Sequence, residues 1–214
     1  MSSTRTRVKV CGITSYDAAM WAVDAGADAI GFVFVEGTPR YIEPEKAAGI
    51  MFSLPPFVST VGVVRDLDVD AFCDLEQMCP AHSMQLHGKE PVDVVKQCGP
   101  GVIKAFKYED ATINSQLTRW GKVDEVDALL IDGSDGGEGM AFDWSKLKPH
   151  LDGSNKNIII AGGIDEDNVA QVIETLRPYA VDVSSGVEDA PGVKNREKIE
   201  RLCAAVHGAD ARLR

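Results

Sequence analysis

The chain has 214 residues, of which 44% are hydrophobic, so it is long enough for one large domain or two small ones. Its 22 basic and 33 acidic residues give a net charge of −11. We expect no nucleic-acid and no membrane partner, because such a charge repels phosphate polymers and no run approaches the roughly 18 apolar residues of a membrane span. A small phosphorylated ligand is still allowed, since it needs only local backbone donors.

The five cysteines are widely spaced, and no two of them form a Cys-x-x-Cys pair. This pattern argues against a zinc site or a disulfide framework. It predicts a reducing compartment, and we therefore expect a cytoplasmic protein without a structural metal.

Short β-branched runs alternate with amphipathic stretches from end to end. Several of the runs are continuously apolar, which is typical of parallel strands buried on both faces. The predicted strands are Val8–Cys11, Ala29–Phe34, Thr60–Val64, Ser83–Leu86, Val102–Phe106, Ala128–Asp132, Asn157–Ala161 and Ala180–Ser184. The predicted helices are Tyr16–Ala25, Pro44–Phe52, Val69–Met78, Pro91–Cys98, Ile113–Trp120, Asp143–Leu147, Glu166–Leu176 and Asn195–Val206.

Eight strand–helix units without an intervening linker predict a single α/β domain over residues 1–214, a (β/α)8 TIM barrel. The alternative is a doubly wound sheet of six or seven strands. No Gly-x-Gly-x-x-Gly follows the first strand, which disfavours the dinucleotide-binding form of that sheet. In a barrel the chemistry lies on the loops that follow the strands, so the candidate site residues are those at the strand ends.

Two candidate residues follow the first two strands. Cys11 ends the first strand, and a helix is predicted to begin after Thr14 or Ser15, both good N-cap types. Cys11 is a candidate base, although a cysteine without context is more often a small buried hydrophobe. Arg40 lies in a loop that Pro39 restricts, and its guanidinium suits a carboxylate ligand. The alternative for Arg40 is a surface ion pair with Glu36 or Glu43.

A histidine and an acid follow the fourth and sixth strands. His87 is either a proton carrier or a structural histidine at the top of the barrel. Asp132 follows four apolar residues, and partial removal from water favours the protonated form that a general acid needs. The alternative for Asp132 is a cap on the backbone of the next loop. That loop, Gly133–Met140, is rich in glycine and is predicted to close over a ligand.

Small-residue turns follow the last two strands. They contain Gly162 and Gly163 after the seventh strand, and Ser184, Ser185 and Gly186 after the eighth. Their positions match the usual barrel phosphate site, in which backbone N–H groups hold the anion. An acid and a base flanking a phosphorylated sugar suggest isomerisation by proton transfer, without a metal or cofactor. These residues alone do not choose among the barrel isomerases and lyases.

The sequence resembles the phosphoribosylanthranilate isomerase family of tryptophan biosynthesis. The resemblance runs in order from about Val8 to Leu202. It rests on the strings Lys9-Val-Cys-Gly-Ile-Thr14, Ala25-Gly-Ala-Asp-Ala-Ile-Gly-Phe-Val-Phe34, Pro39-Arg-Tyr-Ile42, Val61-Gly-Val63, Gln85-Leu-His-Gly88, Phe142-Asp-Trp144, Ala161-Gly-Gly163, Val181-Asp-Val-Ser-Ser-Gly-Val-Glu188 and Pro191-Gly192.

The resemblance implies a cofactor-free barrel enzyme that converts N-(5-phosphoribosyl)anthranilate to 1-(2-carboxyphenylamino)-1-deoxyribulose 5-phosphate. It implies that Asp132 is the general acid and Cys11 the general base, with thiolate formation helped by a nearby helix N-terminus. Arg40 would bind the anthranilate carboxylate. The loops at Gly162-Gly163 and Ser184-Ser185-Gly186 would bind the phosphate. The expected assembly is a monomer or a homodimer.

Two places depart from the family pattern. In the loop after the sixth strand the family commonly has Gly-Gly-Ser/Thr-Gly and then a polar or basic residue, and Glu138 and Met140 occupy those places here. Val63-Val64-Arg65 replaces a common aliphatic-Phe-Val-Asn pattern after the third strand. The alternatives are another phosphosugar isomerase or epimerase barrel, and a barrel that binds a phosphometabolite without converting it. An epimerase or lyase would more naturally place Lys, Glu or Asp where this chain has Cys11.

Overall fold

A computed structural model describes residues 5–133, 144–151 and 153–213. Eight parallel strands close into one barrel in sequential order, which confirms the predicted (β/α)8 architecture. The barrel strands are β1 (Arg7–Cys11), β2 (Ala29–Val33), β3 (Ser59–Val64), β4 (Ser83–Leu86), β5 (Val102–Lys107), β6 (Val126–Asp132), β7 (Asn157–Ala161) and β8 (Ala180–Val183).

Helices alternate with these strands. They are α1 (Tyr16–Asp24), α2 (Pro44–Ser53), α3 (Val69–Met78), α4 (Val92–Gln97), α5 (Ile113–Gly121), α6 (Lys148–Leu151), α7 (Val169–Leu176) and α8 (Arg196–Arg212). A hairpin of β9 (Glu188–Ala190) and β10 (Val193–Lys194) lies in the loop between β8 and α8. Within the described ranges, no helix has the length and apolar character needed to cross a membrane.

Helix α7 begins at Val169, three residues after its predicted start, and two other helices differ more from the sequence prediction, for physical reasons. The predicted helix Asp143–Leu147 is a 3₁₀ turn over Trp144–Lys146 followed by the short α6, and Asp143 itself lies outside the described residues. Pro149 lacks the N–H that a continuous helix needs, so a new helix starts just before it.

Helix α8 runs six residues past its predicted end, to Arg212. Its last turn is tied to the barrel, because Asp210 accepts hydrogen bonds from the Thr6 backbone N–H and hydroxyl, at 2.7 and 2.9 Å.

The core has two parts, one outside the barrel wall and one inside it. Aliphatic and aromatic side chains fill the space between strands and helices, while a smaller cluster fills the barrel interior. Side chains alternate along each strand, so residues two positions apart share the interior face. The interior cluster consists of Val61, Ile103, Ala105, Ala128, Leu130, Ile159, Ala161 and Ala180. The next interior positions on several strands are polar, and they form the floor of the candidate site.

A buried ion pair holds the loop that follows β4. Lys104 Nζ donates to Glu90 Oε2 at 2.8 Å and to the backbone oxygens of Leu86, Gly88 and Ala105 at 2.9–3.1 Å. The Lys104 and Glu90 side chains are 2% and 1% exposed. This pair fixes the backbone on both sides of His87, because every buried charge must be matched by nearby polar groups.

We predict that Lys104→Met lowers the free energy of unfolding by about 3 kcal/mol, because it leaves the Glu90 carboxylate buried without its cation. Urea denaturation of the purified protein measures the change. The control is Arg212→Met, which removes a cation from an exposed pair with Glu174 and should cost less than about 1 kcal/mol. Equal losses in the two variants would contradict a special role for the buried pair.

Candidate active site

A cavity of about 330 Å³ opens at the carboxyl ends of the barrel strands. It is lined by every predicted site residue except Gly186, which directly follows the lining residue Ser185. Residues that the sequence analysis left without a role also line it. The lining includes Cys11, Arg40, Arg65, Gln85, His87, Asp132, Gly162, Gly163, Asp182, Ser184 and Ser185.

Cys11 lies at the tip of β1 with 7% of its surface exposed. Gly31 on β2 makes room for it, since a Cβ at Gly31 would lie 2.8 Å from the Cys11 sulfur. Burial raises the pKa of the Cys11 thiol, and the Lys9 ammonium opposes this by favouring the thiolate. The larger positive charge acting on the thiol therefore comes from its own strand, one interior position below.

A buried ion pair between Lys9 and Asp182 forms the floor of the cavity. Lys9 Nζ donates to Asp182 Oδ1 at 2.9 Å and to Gln85 Oε1 at 3.0 Å. Burial alone would lower the pKa of Lys9, but Asp182 and Cys11 outweigh it, so the pKa is raised and Lys9 stays charged. One cation thus connects the acid of β8, the amide of β4 and the thiol.

The Lys9 ammonium also orients the groups next to Asp132. Because Gln85 Oε1 accepts from Lys9, the Gln85 amide nitrogen is assigned as the donor to His87 Nδ1, 3.0 Å away. The ring proton of His87 then sits on Nε2, which lies 3.6 Å from Asp132 Oδ2. Burial lowers the pKa of His87 against the opposing charge of Asp132, so the imidazole is neutral.

Arg40 reaches the cavity rim from the loop after β2. Its partner is Glu188 rather than Glu36 or Glu43. Arg40 Nε and Nη2 donate to the two carboxylate oxygens of Glu188 at 2.9 and 2.8 Å. This bidentate pair raises the pKa of Arg40. Gly12 follows Cys11 with φ +79° and packs against the arginine stem, because a Cβ there would lie 2.6 Å from Arg40 Cδ.

The turns after β7 and β8 form one wall of the cavity. Gly162 and Gly163 have φ values of +90° and +65°, which residues other than glycine rarely adopt. Gly186 belongs to a 3₁₀ turn, Ser185–Val187, that packs against the other loop: a Cβ on Gly186 would lie 2.0 Å from the Ile164 carbonyl oxygen. In the described part of the chain, nothing accepts a hydrogen bond from the N–H groups of Gly162, Gly163, Ser185 or Gly186. Adjacent donors of this kind suit a phosphate.

The loop predicted to close over a ligand, Gly133–Met140, lies outside the described residues except for Gly133. The departures Glu138 and Met140, and the string residues Phe142 and Asp143, lie in that same range.

Comparisons with known proteins agree with these features. A family model described as N-(5'phosphoribosyl)anthranilate (PRA) isomerase matches residues 8–205. The chain belongs to this family. It is 44% identical to the N-(5'-phosphoribosyl)anthranilate isomerase of Geobacter sp. (strain M21), over 93% of this chain and 97% of that protein. The resemblance seen in the sequence is thereby confirmed.

Solved structures of the family have the same fold. The phosphoribosyl anthranilate isomerase of Thermus thermophilus superimposes with a TM-score of 0.86 at 41% identity, covering 98% of this chain and all of the other. Another family structure was solved in complex with reduced 1-(o-carboxyphenylamino)-1-deoxyribulose 5-phosphate. It has a TM-score of 0.84 and 36% identity, covering 95% of this chain and 99% of the other.

Sequence reasoning left several polar residues of the site without a role. Lys9 is a lysine between two valines in a strand buried on both faces, a pattern that requires a buried charge partner. Asp182 carries the same signal inside β8. Glu188 and Lys194 carry no such signal, because the hairpin that buries them is not evident from the sequence.

We predict that Lys9→Met raises the pKa of Cys11 further, because burial and the Asp182 charge then act against Lys194 alone, the smaller of the two opposing charges. In a Cys73→Ser background, which removes the exposed thiol, the pH profile of Cys11 alkylation by iodoacetamide should move to more alkaline pH. Lys46→Met, at an exposed lysine of α2, is the control and should leave the profile in place. An unmoved profile in Lys9→Met would show that this ammonium does not act on the thiol.

Proposed function

We propose that the protein isomerises N-(5-phosphoribosyl)anthranilate to 1-(2-carboxyphenylamino)-1-deoxyribulose 5-phosphate, a step of tryptophan biosynthesis. The observation that carries the proposal is the arrangement of one cavity in a member of this family. Cys11 and Asp132 line it, with Arg40 at the rim and, on one side, backbone N–H groups that donate to none of the described residues. This arrangement pairs a thiol and a carboxyl group with separate anchors for a phosphate and a carboxylate.

Asp132 is proposed as the general acid. Its carboxyl proton passes to the furanose ring oxygen, the bond from that oxygen to C1′ breaks, and the anilino nitrogen forms a Schiff base with C1′. Asp132 is left as a carboxylate. His87, neutral and with its proton on Nε2, lies on the side of that carboxylate and can stabilise the negative charge.

Cys11 is proposed as the general base, acting as a thiolate rather than as a covalent nucleophile. The thiolate takes the proton from C2′, and the electrons of that bond move to form an enolamine while the iminium nitrogen becomes neutral. Proton transfer from the 2′-hydroxyl to C1′ then gives the ketone. Lys9 favours the thiolate before the transfer, and the cycle closes when the Cys11 thiol releases its new proton and the Asp132 carboxylate takes one up, both by exchange with solvent.

The two anchors hold the ends of the substrate. The N–H groups of Gly162, Gly163, Ser185 and Gly186 are proposed to bind the 5-phosphate, and Arg40 the anthranilate carboxylate. Fixing both ends places the sugar between acid and base, and such positioning lowers the barrier of each proton transfer.

The remaining expectations belong to the same proposal. The barrel would act as a single domain in the cytoplasm, as a monomer or homodimer, on a small phosphorylated substrate and without a nucleic-acid partner. The acidic net charge of −11 and five free cysteines, all in the described residues, support this setting.

We expect Cys11→Ala and Asp132→Asn each to lower kcat at least about a hundredfold, because each removes a group that transfers a proton. The fluorescence of the anthranilate substrate measures its loss, and thermal unfolding checks that the fold is intact. Cys73→Ala and Asp127→Asn change an exposed cysteine and an exposed acid of β6, so they should keep full activity. Undiminished turnover in either site variant would remove the role assigned to that residue. A covalent adduct on Cys11 during turnover would argue for a nucleophile instead.

We expect Arg40→Ala to raise KM and to lower kcat/KM at least about tenfold, because the loss of a charge-assisted contact weakens substrate binding. Steady-state kinetics with the same fluorescence signal measures both constants. Kinetics identical to those of the unchanged protein would mean that Arg40 does not touch the substrate.

A further inference from the structure

Among the residues that the structure describes, hydrogen bonds occupy only one edge of the Arg40 guanidinium. Glu188 takes the hydrogen bonds of Nε and Nη2, whereas Nη1 donates to no other residue in the described ranges. Arg40 lines the cavity, but Glu188 does not. The Glu188 carboxylate therefore binds one edge of the guanidinium without lining the cavity itself, and the second edge is left for a ligand.

Glu188 is itself held in place by a second cation, Lys194. Lys194 Nζ donates to Glu188 Oε1 at 2.7 Å and to the Ser184 carbonyl oxygen at 3.0 Å. The side chains of Glu188 and Lys194 are only 3% and 1% exposed. Arg40 and Lys194 together lower the pKa of Glu188, although its burial acts in the opposite direction. The carboxylate is thus charged, and it is surrounded by donors that prevent it from turning to solvent.

The β9–β10 hairpin, which carries Glu188 and Lys194, packs directly on the loop after β2 that carries Arg40. A Cβ at Gly192, which has φ +84°, would lie 2.2 Å from the Pro39 carbonyl oxygen. At the hairpin base, Lys198 Nζ from α8 donates to the Glu188 carbonyl oxygen at 2.7 Å. The loop after β2 and the loop after β8 therefore hold Arg40 as one unit.

We propose that Glu188 and Lys194 are positioning residues, which hold Arg40 with its Nη1 edge available to a substrate carboxylate and set the site to accept a single carboxylate. The inference rests on the proposed function, in which Arg40 binds the anthranilate carboxylate. Two cations and one carboxylate leave one net positive charge in the cluster. One ligand carboxylate neutralises that charge, whereas a ligand without it leaves the guanidinium edge unpaired.

Two variants separate positioning from charge. Glu188→Gln keeps the side-chain volume but removes the bidentate ionic grip and raises the cluster charge by one unit. Combining Glu188→Gln with Lys194→Met removes the same grip, restores the net charge of the unchanged cluster and avoids a buried ammonium without its carboxylate. If the single variant does not fold, the paired variant carries the test alone. Glu174→Gln, in an exposed pair with Arg212, is the control.

Calorimetric titration with two probes gives the readout. The first probe is reduced 1-(o-carboxyphenylamino)-1-deoxyribulose 5-phosphate, and the second is the same compound without the carboxylate. We expect the ratio of the two affinities to fall about tenfold or more in both variants, while the affinity for the second probe changes less than about twofold. The control should keep the ratio of the unchanged protein.

Two results would overturn the proposal. A ratio that rises in Glu188→Gln and stays level in the paired variant would mean that net charge alone matters. A ratio unchanged in both would mean that Glu188 does not position Arg40. The proposed function fails separately, if the unchanged protein neither converts its substrate nor prefers the carboxylated probe.

Discussion

The ion pair between Lys9 and Asp182 joins the first and last strands of the barrel, where the cylinder closes. Two charges in this interior are tolerated only as a hydrogen-bonded pair, because burying an isolated charge costs roughly several kcal/mol even after the surroundings relax. The pair is also the base of the hydrogen-bond chain through Gln85 to His87. The thiol of Cys11 and the carboxyl group of Asp132 are therefore both connected to this ion pair, the first directly and the second through Gln85 and His87.

A second charged cluster serves recognition instead of proton transfer. Arg40, Glu188 and Lys194 lie between the loop after β2 and the hairpin after β8. Ser184 connects the two clusters, since its hydroxyl donates to the Cys11 carbonyl oxygen while its own carbonyl oxygen accepts from Lys194. The carboxylate anchor, the phosphate turn and the base thus share one framework, which limits how far any of them can shift alone.

Most of the fold is predictable from local patterns, and the exceptions that follow β8 have tertiary causes. The strands were predicted to within about two residues, because apolar β-branched runs have few other stable arrangements. Helix α8 extends past its prediction since Asp210 is captured by Thr6, a partner 204 positions away. The β9–β10 hairpin went unpredicted, as its five residues carry no hydrophobic period and pair only on top of the barrel.

The sequence by itself determined the barrel, the family and the strand-end positions of Cys11, Arg40 and Asp132, because strand periodicity and loop motifs are encoded locally. It did not determine what those side chains meet. Only the closed barrel brings Lys9 beside both Cys11 and Asp182, and only the folded hairpin gives Arg40 its partner Glu188, 148 positions away. The protonation of a thiol and the orientation of a guanidinium depend on charges a few ångströms away, and such neighbours are set by packing, not by position along the chain.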